Sequence, residues 1–145
     1  MPNEFRTTRR MEFADTDMAG IVHFSRYTVF METAEHEFLK SIGTDIHFEL
    51  DGDVISWPRV SVSCDYRRPS YYGEELEIAV TVTRRGAKSV TYGFSFQRDG
   101  EEIARGKITA VCCVCNPGED LRSIAIPDDI AALLDAIAAP EQDSA

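Results

Sequence analysis

The sequence predicts an α+β domain in which a single long helix packs against an antiparallel sheet. From Tyr27 onward, apolar residues recur three and four positions apart, which is the spacing of a helix with one buried face. These positions are Phe30, Met31, Ala34, Phe38, Leu39 and Ile42. Beyond Gly43, several segments instead alternate apolar and polar residues, which is typical of strands. No strand–helix–strand repeat follows, so an antiparallel sheet is favoured over a parallel one.

The first half of the chain contains one strand, the helix and a second strand region. Residues 5–13 are predicted to form the first strand. The helix is predicted to end at Gly43, because a glycine with positive φ commonly follows a helix. Residues 44–53 are predicted to be irregular, and residues 54–68 to form a second strand region with a kink or an edge at Pro58.

The second half contains three further strands and a short helix. Alternating residues predict strands at 76–82, 90–96 and about 101–115, and Asp99-Gly100 is a strong hairpin signal between the last two. A short C-terminal helix is predicted to begin at Pro127 and to reach Ala138. Its inward-facing residues are predicted to be Ile130, Leu133, Leu134 and Ile137. A single helix covers one sheet face, so the other face is expected to need a partner or a small helix, which suggests an oligomer.

Length and composition indicate one globular domain. The chain has 145 residues, of which 43% are hydrophobic. We expect residues 1–138 to form the domain and residues 139–145 to be a disordered tail. The formal net charge of −10 argues against a nucleic-acid partner, because such binding depends on neutralising phosphates. A local cluster of basic residues could still bind a small phosphate-bearing ligand.

The sequence also predicts a cytoplasmic protein without a membrane partner. No apolar run is long enough to cross a bilayer, and residues 1–10 lack the apolar core of a signal peptide. The four cysteines do not suggest a disulfide framework. On a strand, Cys113 and Cys115 would face one side and Cys112 the other, so these thiols could not converge on one metal ion.

The stretch with the strongest chemical character is Asp15-Thr16-Asp17, just before the long helix. An EF-hand calcium loop is excluded, since its fifth position would be Ala19 and its twelfth Arg26. A phosphatase aspartate pair is disfavoured, because it would follow a fully apolar parallel strand. The remaining hypothesis is an acid acting on an acyl group, whose carbonyl oxygen would be polarised at the positive end of the helix.

The segment from Glu12 to Gly43, with its Asp-x-Asp-x-x-Gly-Ile-Val motif, resembles the hotdog-fold acyl-CoA thioesterases. It is most similar to the 4-hydroxybenzoyl-CoA thioesterase branch, and a weaker likeness extends to about Ile130. The resemblance implies a long central helix wrapped by a curved five-stranded antiparallel sheet. It also implies a homo-oligomer, a dimer or a homotetramer, with active sites at the dimer interface.

The resemblance further implies that Asp17 is the catalytic carboxylate and that the backbone N–H of Phe24 polarises the thioester carbonyl. A carboxylate can serve this reaction as nucleophile or as general base. The alternative for both aspartates is to cap the turn or the helix, and capping is the favoured role for Asp15.

The remaining candidate site residues are predicted to bind the substrate. His23, Tyr27 and Glu32 are predicted to contact the substrate. The alternatives are packing or solvent exposure for His23, a place in the core for Tyr27 and surface solvation for Glu32. The resemblance implies CoA binding by Lys88 and Ser89, and the candidate CoA-binding residues are Arg84, Arg85, Lys88 and Ser89. A solvated hairpin end is the alternative for them. No metal and no cofactor are expected, since CoA is part of the substrate.

The predicted function is hydrolysis of a small acyl- or aroyl-CoA thioester to the free acid and CoA. Two alternatives remain open at this point. One is an acyl-carrier-protein thioesterase, and the other is a non-catalytic acyl-binding or scaffold protein of the same fold.

Overall fold

The computed structural model describes residues 3–138, in which a long helix lies against one face of an antiparallel sheet. The predicted tail at residues 139–145 lies outside the described residues. The strands are β1 (Phe5–Arg10), β2 (His47–Leu50), β3 (Asp53–Ser56), β4 (Arg59–Tyr66), β5 (Glu75–Arg85), β6 (Ser89–Arg98), β7 (Glu101–Val111), β8 (Cys113–Val114) and β9 (Arg122–Ser123). The helices are α1 (Arg26–Ser41) and α2 (Asp128–Ala136), and a 3-10 turn spans Phe13–Asp15.

The main sheet has five strands in the order β1-β5-β6-β7-β4, and all neighbours are antiparallel. This confirms the predicted α+β class and the five-stranded sheet. Register shifts interrupt three of the four pairings, and such bulges bend the strands that carry them. A second, smaller sheet that was not predicted has the order β2-β3-β8-β9.

Helix α1 packs as its spacing predicts. Its apolar stripe is buried, and Gly43 follows it with a φ of +94°. The helix lies so close to β7 that a Cβ atom on Gly106 would overlap the sulfur of Met31 and would lie 2.9 Å from the carbonyl oxygen of Ser63. A side chain at position 106 would therefore require both Met31 and the neighbouring strand to shift.

Four of the sequence assignments need correction. The first strand, predicted over residues 5–13, ends at Arg10, and Phe13 begins the 3-10 turn. Residues 44–53 are not irregular, because they contain β2 and the turn at Asp51-Gly52 that leads into β3. The single strand predicted over 54–68 is divided at Trp57-Pro58, so that β3 joins the small sheet and β4 the main one. The fifth predicted strand is divided in the same way at Cys112. These divisions depend on which strands are available for pairing, which local sequence does not reveal.

Two surfaces remain open. Edge strand β4 exposes apolar side chains, with Val60 64% and Val62 53% exposed. Leu133 of α2 was predicted to face inward but is 37% exposed, whereas Ile130 and Leu134 are buried as predicted. Within residues 3–138, the helices are too short or too polar to span a membrane.

Candidate active site

Asp15 holds the acidic turn to the start of α1. Its side chain is only 2% exposed. Oδ2 accepts the backbone N–H of Glu12 at 2.8 Å, and Oδ1 accepts Nε of Arg26 at 2.8 Å. Both oxygens are thus occupied, which agrees with the capping role predicted for Asp15.

Asp17 is differently placed, on the half-buried surface of the same turn. Its Oδ1 accepts the backbone N–H of Ala19 at 2.8 Å, and its own N–H donates to the carbonyl of Ile21 at 3.0 Å. Among residues 3–138, Oδ2 has no hydrogen-bond partner. The side chain is therefore oriented by one oxygen and retains the other for a ligand.

The turn that leads into α1 leaves one backbone donor unused. The N–H of Arg26 donates to the carbonyl of His23 at 3.0 Å, and the N–H of Ser25 donates to Nδ1 of His23 at 3.2 Å. The N–H of Phe24 has no acceptor in the described part of the chain. The carbonyl of Phe24 accepts the hydroxyl of Tyr66 at 2.8 Å, which fixes the neighbouring peptide.

The acidic turn and the helix start are joined by backbone contacts. The N–H of His23 donates to the carbonyl of Asp15 at 2.8 Å, and Thr16 forms a bridge with Val22. The partial positive charge of a helix N-terminus favours an anion at this place. At such a terminus, a carboxylate oxygen can attack a carbonyl carbon. An unpaired N–H can stabilise the oxyanion that results.

His23 and Tyr27 have clear structural partners in the folded chain. Nδ1 of His23 accepts hydrogen bonds from Ser25, so the ring caps the first turn, and it stacks on Phe24 with ring centroids 4.6 Å apart. Tyr27 is buried beside Tyr66 and Phe96, and burial raises the pKa of Tyr27 to about 12. Their predicted contacts with substrate remain predictions.

Glu32 lies at a hollow along the exposed side of α1. The hollow has a volume of about 240 Å³ and is bounded by α1, β4 and β7. Its lining residues are Thr28, Val29, Glu32, Arg59, Val62 and Ile108. Thr28 and Glu32 are one helical turn apart, so the hollow extends from the start of α1 along its side.

A charged cluster behind the hollow was missed by the sequence analysis. Arg59 lies 3.8 Å from Oε2 of Glu32 and 3.1 Å from Nε2 of His36, and it also contacts Oε1 of Glu35. Burial raises the pKa of Glu35, while the Arg59 guanidinium opposes that shift. Burial and the same guanidinium lower the pKa of His36. The missed signal was Glu35 itself, an acid that interrupts the apolar stripe of the helix.

The predicted CoA-binding residues lie at the other end of the sheet. Arg84 and Lys88 are exposed near the β5–β6 connection, but Arg85 donates two hydrogen bonds to Asp135 of α2, at 2.8 and 2.7 Å. Ser89 begins β6, whereas Phe96, which contacts Tyr27, lies seven residues further along it. At about 3.3 Å per residue this is a separation of roughly 23 Å, so one chain does not bring both groups together.

A larger groove, of about 430 Å³, lies near the C-terminal end of α1, between β2 and α2. Thr44, Phe48, Leu50 and Leu133 contribute to its lining, with Asp45, Glu49 and Asp129 as the acidic residues. It contains none of the predicted site residues.

Comparison with known proteins gives a consistent result. The sequence matches the Thioesterase-like superfamily over residues 11–134. A 1,4-dihydroxy-2-naphthoyl-CoA hydrolase from a Synechococcus species is 28% identical over 138 residues, covering 90% of this chain and 88% of the relative.

Two solved structures extend the likeness to three dimensions. A gentisyl-coenzyme A thioesterase is 26% identical with a TM-score of 0.79, covering 90% of this chain and 99% of that one. A 4-hydroxybenzoyl-CoA thioesterase from a Pseudomonas species is 24% identical with a TM-score of 0.76, over 90% and 98% of the two chains. The latter supports the fold alone, and the hotdog fold predicted from the resemblance is confirmed.

Proposed function

Because the chain belongs to the Thioesterase-like superfamily, we propose that it hydrolyses a small acyl- or aroyl-CoA thioester to the free acid and CoA. The observation that carries this proposal is the presence of an unpaired backbone donor and an unpaired carboxylate oxygen at the start of α1. There, the N–H of Phe24 lacks an acceptor among residues 3–138, and the adjoining turn presents the free oxygen of Asp17.

In the proposed reaction, the thioester carbonyl oxygen accepts the N–H of Phe24. The positive end of α1 then stabilises the negative charge that develops on this oxygen during attack. The thiol of CoA resembles other thiols, whose pKa is about 8.5, so the thiolate can leave without a strong general acid. This explains how one carboxylate can suffice, with no cofactor.

Asp17 has two possible roles that give the same products. As a general base, it takes a proton from water while the water oxygen bonds to the carbonyl carbon, and the carbon–sulfur bond then breaks. As a nucleophile, it bonds to the carbonyl carbon and expels the thiolate, and water then hydrolyses the mixed anhydride. Both routes need the oxygen of Asp17 that the protein leaves unpaired.

The acyl group is proposed to occupy the hollow beside α1, with Glu32 at its end. A cavity of roughly 150 Å³ can hold a benzene ring. The hollow of about 240 Å³ therefore has room for one substituted ring. Ring-bearing acyl groups also appear in the names of the naphthoyl-CoA hydrolase and the gentisyl-coenzyme A thioesterase, which supports an aroyl substrate.

A homo-oligomer, dimer or tetramer, is proposed to complete the site. The exposed Val60 and Val62 on edge strand β4 offer an apolar surface to a second copy. Arg84, Lys88 and Ser89 lie toward the end of the sheet that is remote from Phe96 and Tyr27, and we propose that they bind the nucleotide of a CoA whose thioester lies in a neighbouring subunit. Arg85 would join them only by releasing Asp135.

We also propose a cytoplasmic location. Cys64, Cys112, Cys113 and Cys115 are all free thiols, which persist in a reducing compartment.

The test is a panel of aliphatic and aromatic acyl-CoAs, with an acyl-carrier-protein thioester of the same acyl group in parallel. We expect hydrolysis of at least one aroyl-CoA, at a higher kcat/KM than the carrier-protein thioester. A higher kcat/KM for the carrier-protein thioester would instead support the acyl-carrier-protein thioesterase alternative. Turnover of none would favour the acyl-binding alternative.

A further inference from the structure

The direction of the Phe24 N–H depends on the two carbonyl groups on either side of it. The carbonyl of His23 belongs to the same planar peptide as this N–H and points the opposite way. It accepts the N–H of Arg26 at 3.0 Å, a contact within the turn that leads into α1. The carbonyl of Phe24 accepts the hydroxyl of Tyr66 at 2.8 Å. The local backbone therefore holds one peptide, and a side chain from the sheet holds the next.

Tyr66 is itself held firmly enough to restrain this turn. It is the last residue of β4, and its ring packs edge-on against the buried ring of Tyr27, with centroids 5.1 Å apart. Partial burial and the neighbouring Cys64 raise the pKa of Tyr66 to about 12. The hydroxyl therefore remains a protonated hydrogen-bond donor well above neutral pH.

Phe24 has few other restraints. Its side chain is 64% exposed, and its ring stacks on His23, a member of the same turn. The N–H of Ser25 shares a peptide with the Phe24 carbonyl and donates to Nδ1 of His23 at 3.2 Å. Of the hydrogen bonds described for the two peptides at Phe24, the one from Tyr66 reaches from the sheet, whereas the others stay within the turn. The hydroxyl of Tyr66 thus ties the turn to the sheet at this point.

We propose that Tyr66 is a positioning residue for the reaction, which directs the Phe24 N–H toward the thioester carbonyl by holding the adjoining peptide. This inference rests on the proposed function. Without the hydroxyl, the peptide can rotate and turn the N–H away from the carbonyl oxygen. The loss should affect the transition state more than substrate binding, because the N–H interacts most strongly once negative charge has developed on that oxygen.

The first experiment compares kcat and KM of Tyr66→Phe and wild type on the best substrate of the acyl-CoA panel. The substitution keeps the ring against Tyr27 and removes only the hydroxyl. Complete loss of an oxyanion donor costs about 10²–10³-fold in kcat, and a donor that is misdirected only part of the time costs less. We therefore expect kcat to fall about tenfold while KM changes by less than about twofold.

The matched control is Tyr72→Phe, which removes the hydroxyl of another exposed tyrosine. That hydroxyl has no hydrogen-bond partner among residues 3–138. This variant should keep wild-type kcat.

An infrared measurement separates positioning from a loss of folded enzyme. A hydrogen bond to the thioester oxygen weakens the carbonyl double bond and lowers its stretching frequency. The frequency is measured for an acyl-CoA bound to Asp17→Asn, in which slow turnover is expected, with and without Tyr66→Phe. We expect a smaller lowering of the frequency in the double variant. A merely structural role would change the amount of acyl-CoA bound and leave the frequency of the bound thioester unaltered.

The outcomes distinguish this inference from the proposed function. If wild type hydrolyses no acyl-CoA of the panel, the proposed function fails and the inference fails with it. If wild type is active and Tyr66→Phe keeps its kcat, or if the carbonyl frequency is the same with and without the hydroxyl, only the inference is overturned. The same holds if Tyr72→Phe loses as much kcat as Tyr66→Phe.

Discussion

The two ends of α1 differ in how fully their backbone groups are paired. At the C-terminal end, the N–H of Ile42 donates to the carbonyl of Leu39, that of Gly43 to Lys40, and that of Thr44 to Leu39. At the N-terminal end, the N–H of Phe24 lacks a partner in the described chain. Unpaired groups are expected at both ends of a helix, so the C-terminal end has been completed by the protein and the other has not.

The two cavities differ in the opposite sense, because the larger one lies beside the end of α1 whose backbone groups are more fully paired. The larger groove, of about 430 Å³, lies beside the completed end, and the hollow of about 240 Å³ lies along the side that begins at the incomplete end. The proposed thioester hydrolysis needs an unpaired N–H donor and an unpaired carboxylate oxygen, and a large cavity volume by itself supplies neither. For the active site proposed here, an unpaired donor is therefore a more useful guide than cavity volume.

The largest effect should come from Asp17→Asn, which removes the carboxylate from the incomplete end. Asparagine keeps an oxygen that can accept the N–H of Ala19, so the turn should persist. We expect kcat to fall about 10²–10⁴-fold, the usual contribution of a positioned general base. Steady-state kinetics on the best substrate of the panel would measure this loss.

The control for that variant is Asp128→Asn, which changes an exposed acid in the first turn of α2. It should keep wild-type kcat. If Asp17→Asn is as active as wild type, Asp17 has no role in the mechanism. The proposal that the N-terminal end of α1 serves catalysis would then lose its carboxylate.

A smaller and different effect should follow from Asp15→Ala. Asp15 is buried and accepts hydrogen bonds from Arg26 and from the N–H of Glu12. Its loss leaves these donors unpaired and should lower the free energy of unfolding by about 2–3 kcal/mol. Chemical denaturation would measure it, and Asp17→Asn should leave that free energy unchanged within about 0.5 kcal/mol. Equal destabilisation by the two changes would contradict the division of roles.

The smallest effect should come from Gly43→Ala at the completed end. An added Cβ would meet no atom within 4 Å, so the cost arises only from the φ of +94°. We expect a loss of about 1–2 kcal/mol in unfolding free energy and no change in kcat. Thermal denaturation together with kinetics would test this, and a loss of turnover in the folded variant would show that the C-terminal end also serves catalysis.

Local sequence patterns predicted much of this molecule. The spacing of α1, the glycine after it, the capping role of Asp15 and the Asp99-Gly100 turn all follow from short-range geometry. The same dipeptide at Asp51-Gly52 was overlooked, since the strands it joins have only four residues each and weak alternation. Short strands depend on their partners, so β2 and β3 could not be identified without the small sheet.

The candidate site was predicted only in part for a similar reason. Asp17 and Phe24 belong to one continuous stretch, so the sequence and its family resemblance could bring them together. Glu35 and Arg59 are 24 residues apart, and nothing local connects them.

The sequence by itself determined the fold class, the position of the long helix and the acidic turn before it, because each depends on neighbouring residues and on their period. Only the tertiary structure decided which N–H stays unpaired, that Asp15 is buried and Asp17 is not, and that Arg59 joins Glu32 to Glu35. These features depend on chain segments that meet only after folding. Burial then raises the free-energy cost of leaving a polar or charged group unpaired.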